Sequence, residues 1–343
     1  MEIKGAVMIQ LSLVCAFSAV CLVTCFDQDK SINVKDKWEQ FLRVHNKNYD
    51  YSEKNRRYKI FQNNLRTIDQ HNWRYRKGIE SFEMGIGPFA DQTEREFKLM
   101  FEKQSAPSKT TLENNGICKL SVNRTKYPPY YVDYRSIMQP IKDQKPHLCG
   151  AGWAFAAVAT VEGMTMKKLK WDKSLSEQSL LDCAVGHGYQ SYGCNGGSLW
   201  GAMFYMKTYG AETSEDYPYE AAEKCCRSRS KPLVRVETIF NCQGTEQELM
   251  RTVASHGPVA TMIEVTPYIM HYKKGIVFDR NCVNGANHAV TIVGYGMENG
   301  FQYWLLKNSW GRMWGERGYY KLARNYANIC QIGKTAFCVD INC

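Results

Sequence analysis

Fourteen cysteines, eleven of them behind an apolar leader, limit this chain more than any other feature. No charge falls between Lys4 and Asp27, and Ala6 to Cys25 is almost wholly apolar. Val23 and Cys25 suit the positions before a cut near Phe26, so residues 1–25 read as a secretory signal peptide. The run is also long enough for a membrane anchor. Ser12, Ser18 and Thr24 dilute it and globular segments follow, which favours cleavage and no membrane association afterwards. Export and abundant cysteine together predict disulfides formed in an oxidising compartment, with a secreted or endolysosomal destination. Cys15, Cys21 and Cys25 would leave with the signal. Asn123-Arg124-Thr125 is a glycosylation sequon with Asn123 as acceptor. The formal charge of +10 comes from scattered Lys and Arg, with no basic run interleaved with aromatics. Nucleic acid is therefore not an expected partner. No metal or cofactor ligand set is expected.

Residues 34–76 have helical periodicity. Trp38, Phe41 and Val44 recur every three positions, and Phe61, Leu65, Ile68 and Asn72 every three to four. No proline interrupts them, and Asp50 or Ser52 would cap a second helix with Glu53 in its first turn. Glu53, Arg57, Phe61, Asn64, Ile68 and Asn72 resemble the interspersed ERFNIN pattern of cathepsin L-type propeptides. Glu53 and Arg57 are spaced to pair on one helix face. Gly85 to Asp91 resembles the next propeptide element, with Gly87 where that element has Asn. The resemblance implies that the following segment runs backward through a cleft and blocks it. Residues 103–127 are polar, aperiodic and contain Pro107, as expected of a processing linker.

Asp143 to Phe155 then resembles the Cys-Gly-[Ser/Ala]-Cys-[Trp/Tyr] signature of papain-like cysteine proteases at Cys149, Gly150, Ala151 and Trp153. The family places its nucleophile where this chain has Gly152. Trp153 to Leu169 has a helical apolar face with Lys167, Lys168 and Lys170 at its far end, which suits a helix C-terminus. A helix N-terminus at Gly152 favours negative charge, and that is how the family lowers its cysteine's pKa. Leu175 to Cys183 resembles the next helix. Gly196 and Gly197 resemble the cleft-edge glycines whose backbone meets an extended substrate. Leu233–Thr238, Val259–Val265, Ala289–Val293 and Gln302–Leu306 are β-prone, and Thr245–Val253 between them is helical.

By the same resemblance His288 would be the general base, Asn308 would orient its ring, and Trp310 would shield the contact. Gln144 would be the oxyanion donor, and an insertion at Lys145–Leu148 separates it from Cys149. Leu199, Met262 and Ala286 would line a roomy apolar subsite. Implied disulfides are Cys149–Cys194, Cys183–Cys226 and Cys282–Cys330, each contributing about 2–4 kcal/mol. Cys225, Cys242, Cys338 and Cys343 have no deducible pairing. With Cys118 cut away, an even number of cysteines remains in the processed unit, which fits a unit with no free thiol.

The implied fold is α+β, a papain-like two-domain fold with a helical left domain and a β-barrel-like right domain. The expected layout is propeptide 26–127 (inhibitor domain plus linker) and processed unit 128–343, its helical half about 138–240 and its strand-rich half about 241–343. Losing a nucleophile that works as part of a unit costs on the order of 10⁶ in kcat. The leading expectation is a secreted, inactive homologue, a pseudoprotease that holds a peptide or protein ligand without cutting it. The alternatives are an active cysteine endopeptidase, should Gly152 not be the natural residue or be bypassed, a propeptide that inhibits active cathepsins, and a storage or matrix body.

Overall fold

The computed structural model describes residues 33–102, 117–119, 127–144, 149–186, 188–227 and 234–342. The leader, Asn123, the Lys145–Leu148 insertion and Cys343 lie outside the described residues.

Two compact units divide the chain between Thr67 and Ile68. This division follows packing, whereas the boundary expected near 127 concerns covalent processing. In the first unit, helix α1 (33–44) and the start of α2 (Tyr51–Arg76) meet through Trp38, Phe41 and Phe61, with ring centroids 5.1 to 5.5 Å apart. Val44, the last residue of α1, does not join them and is 48% exposed. Asp50 Oδ1 accepts from Glu53 N at 2.9 Å, the helix cap expected there. Glu53 and Arg57 pair at 2.7 Å.

The second unit is built on a ten-stranded sheet. In chain order its elements are β1 (Phe82–Met84), α3 (Glu94–Glu102), β2 (Ile117–Lys119), β3 (Val132–Asp133), α4 (Gly152–Leu169), α5 (Glu177–Cys183) and α6 (Leu199–Tyr209). There follow β4 (Arg235–Asn241), α7 (Glu246–Ser255), β5 (Val259–Ile263), β6 (Tyr272–Val277), β7 (His288–Glu298), β8 (Phe301–Lys307), β9 (Tyr319–Ala323) and β10 (Ala336–Asn342). The strand order is β1-β6-β9-β8-β7-β5-β10-β4-β2, with β3 on β7.

Strand β7 explains the division into two cores. It is buried from His288 to Gly296, because helices pack on both of its faces. Ala289 joins a core with α4 and α6, and Thr291 Oγ1 donates to Ala156 O of α4 at 3.1 Å. Val290 and Ile292 point the other way, into a core shared with Leu249 and Val253 of α7. A strand enclosed on both faces has no need of polar alternation, which accounts for its apolar run.

The second core takes in Ile68, Phe82, Met84, Phe89, Phe97 and Phe101, so the segment from the end of α2 to α3 is built into the molecule. Asn72 holds β1 on both edges of one residue, its Nδ2 donating to Met84 O at 2.9 Å and its Oδ1 accepting from Met84 N at 2.8 Å. Strand β1 pairs antiparallel with β6, and Glu83 meets Lys273 at 2.7 Å and Lys274 at 3.2 Å. Gly275 permits this approach. Its φ is +100°, and a Cβ there would lie 2.8 Å from Phe82 Cα.

All three expected disulfides are present, with Cα separations of 4.4 to 4.8 Å. Cys242–Cys338 adds a fourth, bridging β10 to the residue after β4. Cys225 is exposed and carries no disulfide, which corrects the expectation of no free thiol. Among the described residues no helix is long and apolar enough to cross a membrane.

Candidate functional site

The site begins where α4 begins. Ser176 and Ser198 cap α5 and α6 by accepting from Ser179 N at 3.0 Å and Gly201 N at 3.3 Å. The position before α4 is Ala151, and no side chain caps this end among the described residues. Gly152, the first residue of the helix, is buried and has no side chain. An 18-residue helix therefore opens on N–H groups without a side-chain acceptor, an electropositive end in a buried place.

The bond from Thr291 to Ala156 lays β7, which starts at His288, against α4, which starts at Gly152. His288 is fully buried, and its Nε2 lies 2.9 Å from Asn308 Oδ1. Ser309 N donates to that same atom at 2.8 Å, which identifies it as oxygen. Nε2 is then the ring nitrogen that donates to Asn308. Trp310 stacks on the imidazole at 5.0 Å between centroids.

Gln144 joins the group from the opposite strand of chain. Its backbone N donates to Ser309 O at 2.9 Å, and Ser309 Oγ donates to Gln144 Oε1 at 2.6 Å. The amide Nε2 is thereby turned toward Cys149 O at 3.4 Å, three residues before Gly152. Ser309 thus connects Gln144 to Asn308. The sequence assigns it no part, although it lies between Asn308 and Trp310.

Behind Asn308 and Ser309 is a cavity of about 20 Å³ lined in part by Lys142, Glu162, Glu177 and Lys307. Lys142 Nζ meets Glu177 at 2.7 Å and Glu162 at 2.9 Å. Burial disfavours the Lys142 charge, but the two carboxylates outweigh it and its pKa is raised. Burial pushes the Glu177 carboxyl up and the Lys307 amine down.

Gly196 and Gly197 precede α6, and Gly196 has φ +103°. Gly197 packs under Trp153, where a Cβ would lie 2.6 Å from the ring. Leu199, Met262 and Ala286 belong to one apolar cluster together with Cys149 and Trp153. The expected site residues thus fall into two groups. His288, Asn308, Trp310 and Gln144 are linked by hydrogen bonds and stacking, and Leu199, Met262 and Ala286 by apolar packing.

The segment ahead of the linker covers the histidine. Phe101 of α3 stands edge-on to His288 at 5.4 Å, and Phe89, Phe97 and Phe101 surround Trp310 at 5.5 to 5.7 Å. The resemblance implies a cleft-blocking segment after Asp91, but it singles out no residue within it. The i, i+4 spacing of Phe97 and Phe101 was the available signal.

Residues 128–339 match the papain family cysteine proteases, and residues 38–97 match the cathepsin propeptide inhibitor domain. The chain belongs to the papain family, with the family's α+β two-domain fold behind an inhibitor-type propeptide. Within that family it is cathepsin L-like. It is 36% identical to a cathepsin L-like proteinase of Fasciola hepatica over 88% of this chain and 92% of the relative. It is 36% identical to cathepsin L2 of Homo sapiens over 95% of this chain and 98% of the relative. The structure of digestive procathepsin L 3 from the larval midgut of Tenebrio molitor matches with a TM-score of 0.83 at 34% identity, covering 90% of this chain and 99% of that one.

Proposed function

We propose that this protein is a cathepsin L-like pseudoprotease, which holds a peptide or protein partner in its cleft without cleaving it. The observation that carries the reading is Gly152 at the first position of α4, beside a His288–Asn308 pair 2.9 Å apart. A helix N-terminus that would stabilise a thiolate opens on a residue with no side chain. Ala151 and Ala154 offer no hydroxyl or thiol, and Cys149 is bound to Cys194. The domain reading stands beside this one: a leader 1–25, a propeptide 26–127 and a processed unit 128–343 on the secretory route, secreted or endolysosomal, with Asn123 glycosylated.

In this reading Gln144, His288 and Asn308 are retained machinery without a nucleophile, and Trp310 keeps their contact dry. Gly196, Gly197, Leu199, Met262 and Ala286 form the ligand-holding walls. The test is to cut the linker with an added protease, incubate the protein with extended peptides and analyse what is retained. Peptides recovered bound and intact support the reading, cleaved peptides overturn it, and no retention removes the binding role.

Two further readings have an observation behind them. The Fasciola hepatica relative is named a proteinase, which favours an endopeptidase that bypasses Gly152. Residues 38–97 match an inhibitor domain, which favours a propeptide acting on active cathepsins. Titration of residues 26–127 against an active cathepsin L-type enzyme tests the latter, and no inhibition at micromolar concentration removes it.

A further inference from the structure

The loop between β6 and β7 carries Ala286 and delivers His288, so whatever holds that loop sets the geometry of the cleft on this side. Its backbone is not held by strand pairing until Ile263 meets His288. Thr266 Oγ1 donates to Asp279 and Asn287 N donates to Ile263 O at 2.9 Å, and three further attachments hold it. Cys282–Cys330 ties its start, and the Asn287 side chain bridges Val265 by donating to Val265 O at 2.9 Å and accepting from Val265 N at 2.7 Å. The third attachment is Glu264. It directly follows β5, is 5% exposed, and its own backbone N donates to Cys330 O at 2.9 Å.

Glu264 Oε2 accepts from two successive backbone groups, Asn284 N at 2.7 Å and Gly285 N at 3.0 Å, and Oε1 accepts from Asn284 Nδ2 at 3.3 Å. Successive N–H groups converging on one oxygen form an anion-binding nest. Here the anion is a side chain of the same chain. Gly285 makes the convergence possible, with φ +133° in a region that other residues avoid. The adjacent Val283 is 76% exposed.

We propose that Glu264 is a positioning residue of the cleft: its carboxylate fills the nest at Asn284–Gly285 and thereby sets where the loop presents Ala286 and the His288 ring. The proposal rests on reading the His288 face as the ligand cleft, but its test does not depend on whether that cleft binds or cleaves.

The test uses the full chain labelled with ¹⁵N at backbone and histidine. In Glu264→Gln the amide NH₂ opposes one of the three donors. Amide exchange at Asn284 and Gly285 is expected to rise at least tenfold, and the His288 ring-nitrogen signals to move while those of His71, His256 and His271 stay. A polarity swap, Glu264→Gln with Asn284→Asp, lets the new amide donate to residue 284, and the His288 signals should move back toward the parent's. Exchange at residues 284–285 and His288 signals unchanged in Glu264→Gln would overturn the proposal, since the disulfide and Asn287 would then suffice. Equal movement of all four histidines, with no recovery in the double variant, would also overturn it, by reducing Glu264 to general stability.

Discussion

A methyl group at residue 197 has nowhere to go. The two nearest atoms to such a Cβ are Trp153 ring carbons, both at 2.6 Å, and the indole is held by its own N–H donating to Gly193 O at 3.1 Å. A ring fixed at both ends cannot yield cheaply, so Gly197→Ala is expected to cost about 1–3 kcal/mol by overpacking. The urea midpoint should fall with the slope unchanged. Position 152 presents the opposite case, a residue whose missing side chain removes chemistry. In Gly152→Cys, with the linker cut, Gln144, His288 and Asn308 are still tied together through Ser309. The variant is expected to gain peptide turnover at least 10³-fold above the parent, well within the roughly 10⁶ that a nucleophile can contribute. A fluorogenic dipeptide reads this directly. Continued silence would mean that the site has changed beyond one residue.

At the scale of elements, the cap over His288 is the part most exposed to a single substitution. Phe101 is 1% exposed and contacts His288 and Trp310. Phe101→Ala should weaken the docking of α3 by about 3–5 kcal/mol and speed modification of His288 by an imidazole-directed reagent; an unchanged rate would place the barrier elsewhere. The sequence makes some of these elements visible and hides others for physical reasons. Helix α4 is legible because its apolar positions recur at helical spacing, and β7 and β8 because enclosed strands are continuously apolar. Strand β6 is not, since Lys273 and Lys274 are both exposed and interrupt alternation, and its identity depends on β1 and β9 across the fold. His288, Asn308 and Trp310 were found through local motifs. The spacing of Phe97 and Phe101 marks a helix face but not what it covers, and a nest formed around the distant Glu264 carboxylate leaves no local pattern.

For the whole molecule, buried histidines make stability depend on pH. Burial pushes His271 down from 6.5 to about 4. Burial is also the largest influence on His71 and His256, and both are lowered. The unfolded chain binds a proton near pH 6.5 that the folded chain refuses until about pH 4. Stability is therefore full above that range and is lost as pH falls through it, by about 3 kcal/mol for His271 alone. The melting temperature should drop between pH 7 and pH 4, less steeply in His271→Gln; equal slopes would contradict the assignment. This acid sensitivity concerns the fold that frames the cleft, and the reaction of the cleft is a separate matter.

That matter turns on whether the natural chain has a nucleophile. The direct measurement is to incubate the linker-cut protein with a thiol-directed epoxide and a fluorogenic dipeptide, and to read intact mass and fluorescence together. Because Cys225 is an exposed thiol, any adduct must be mapped by peptide. The account predicts no turnover and no adduct in the α4 segment. Stoichiometric labelling there accompanied by turnover would contradict it.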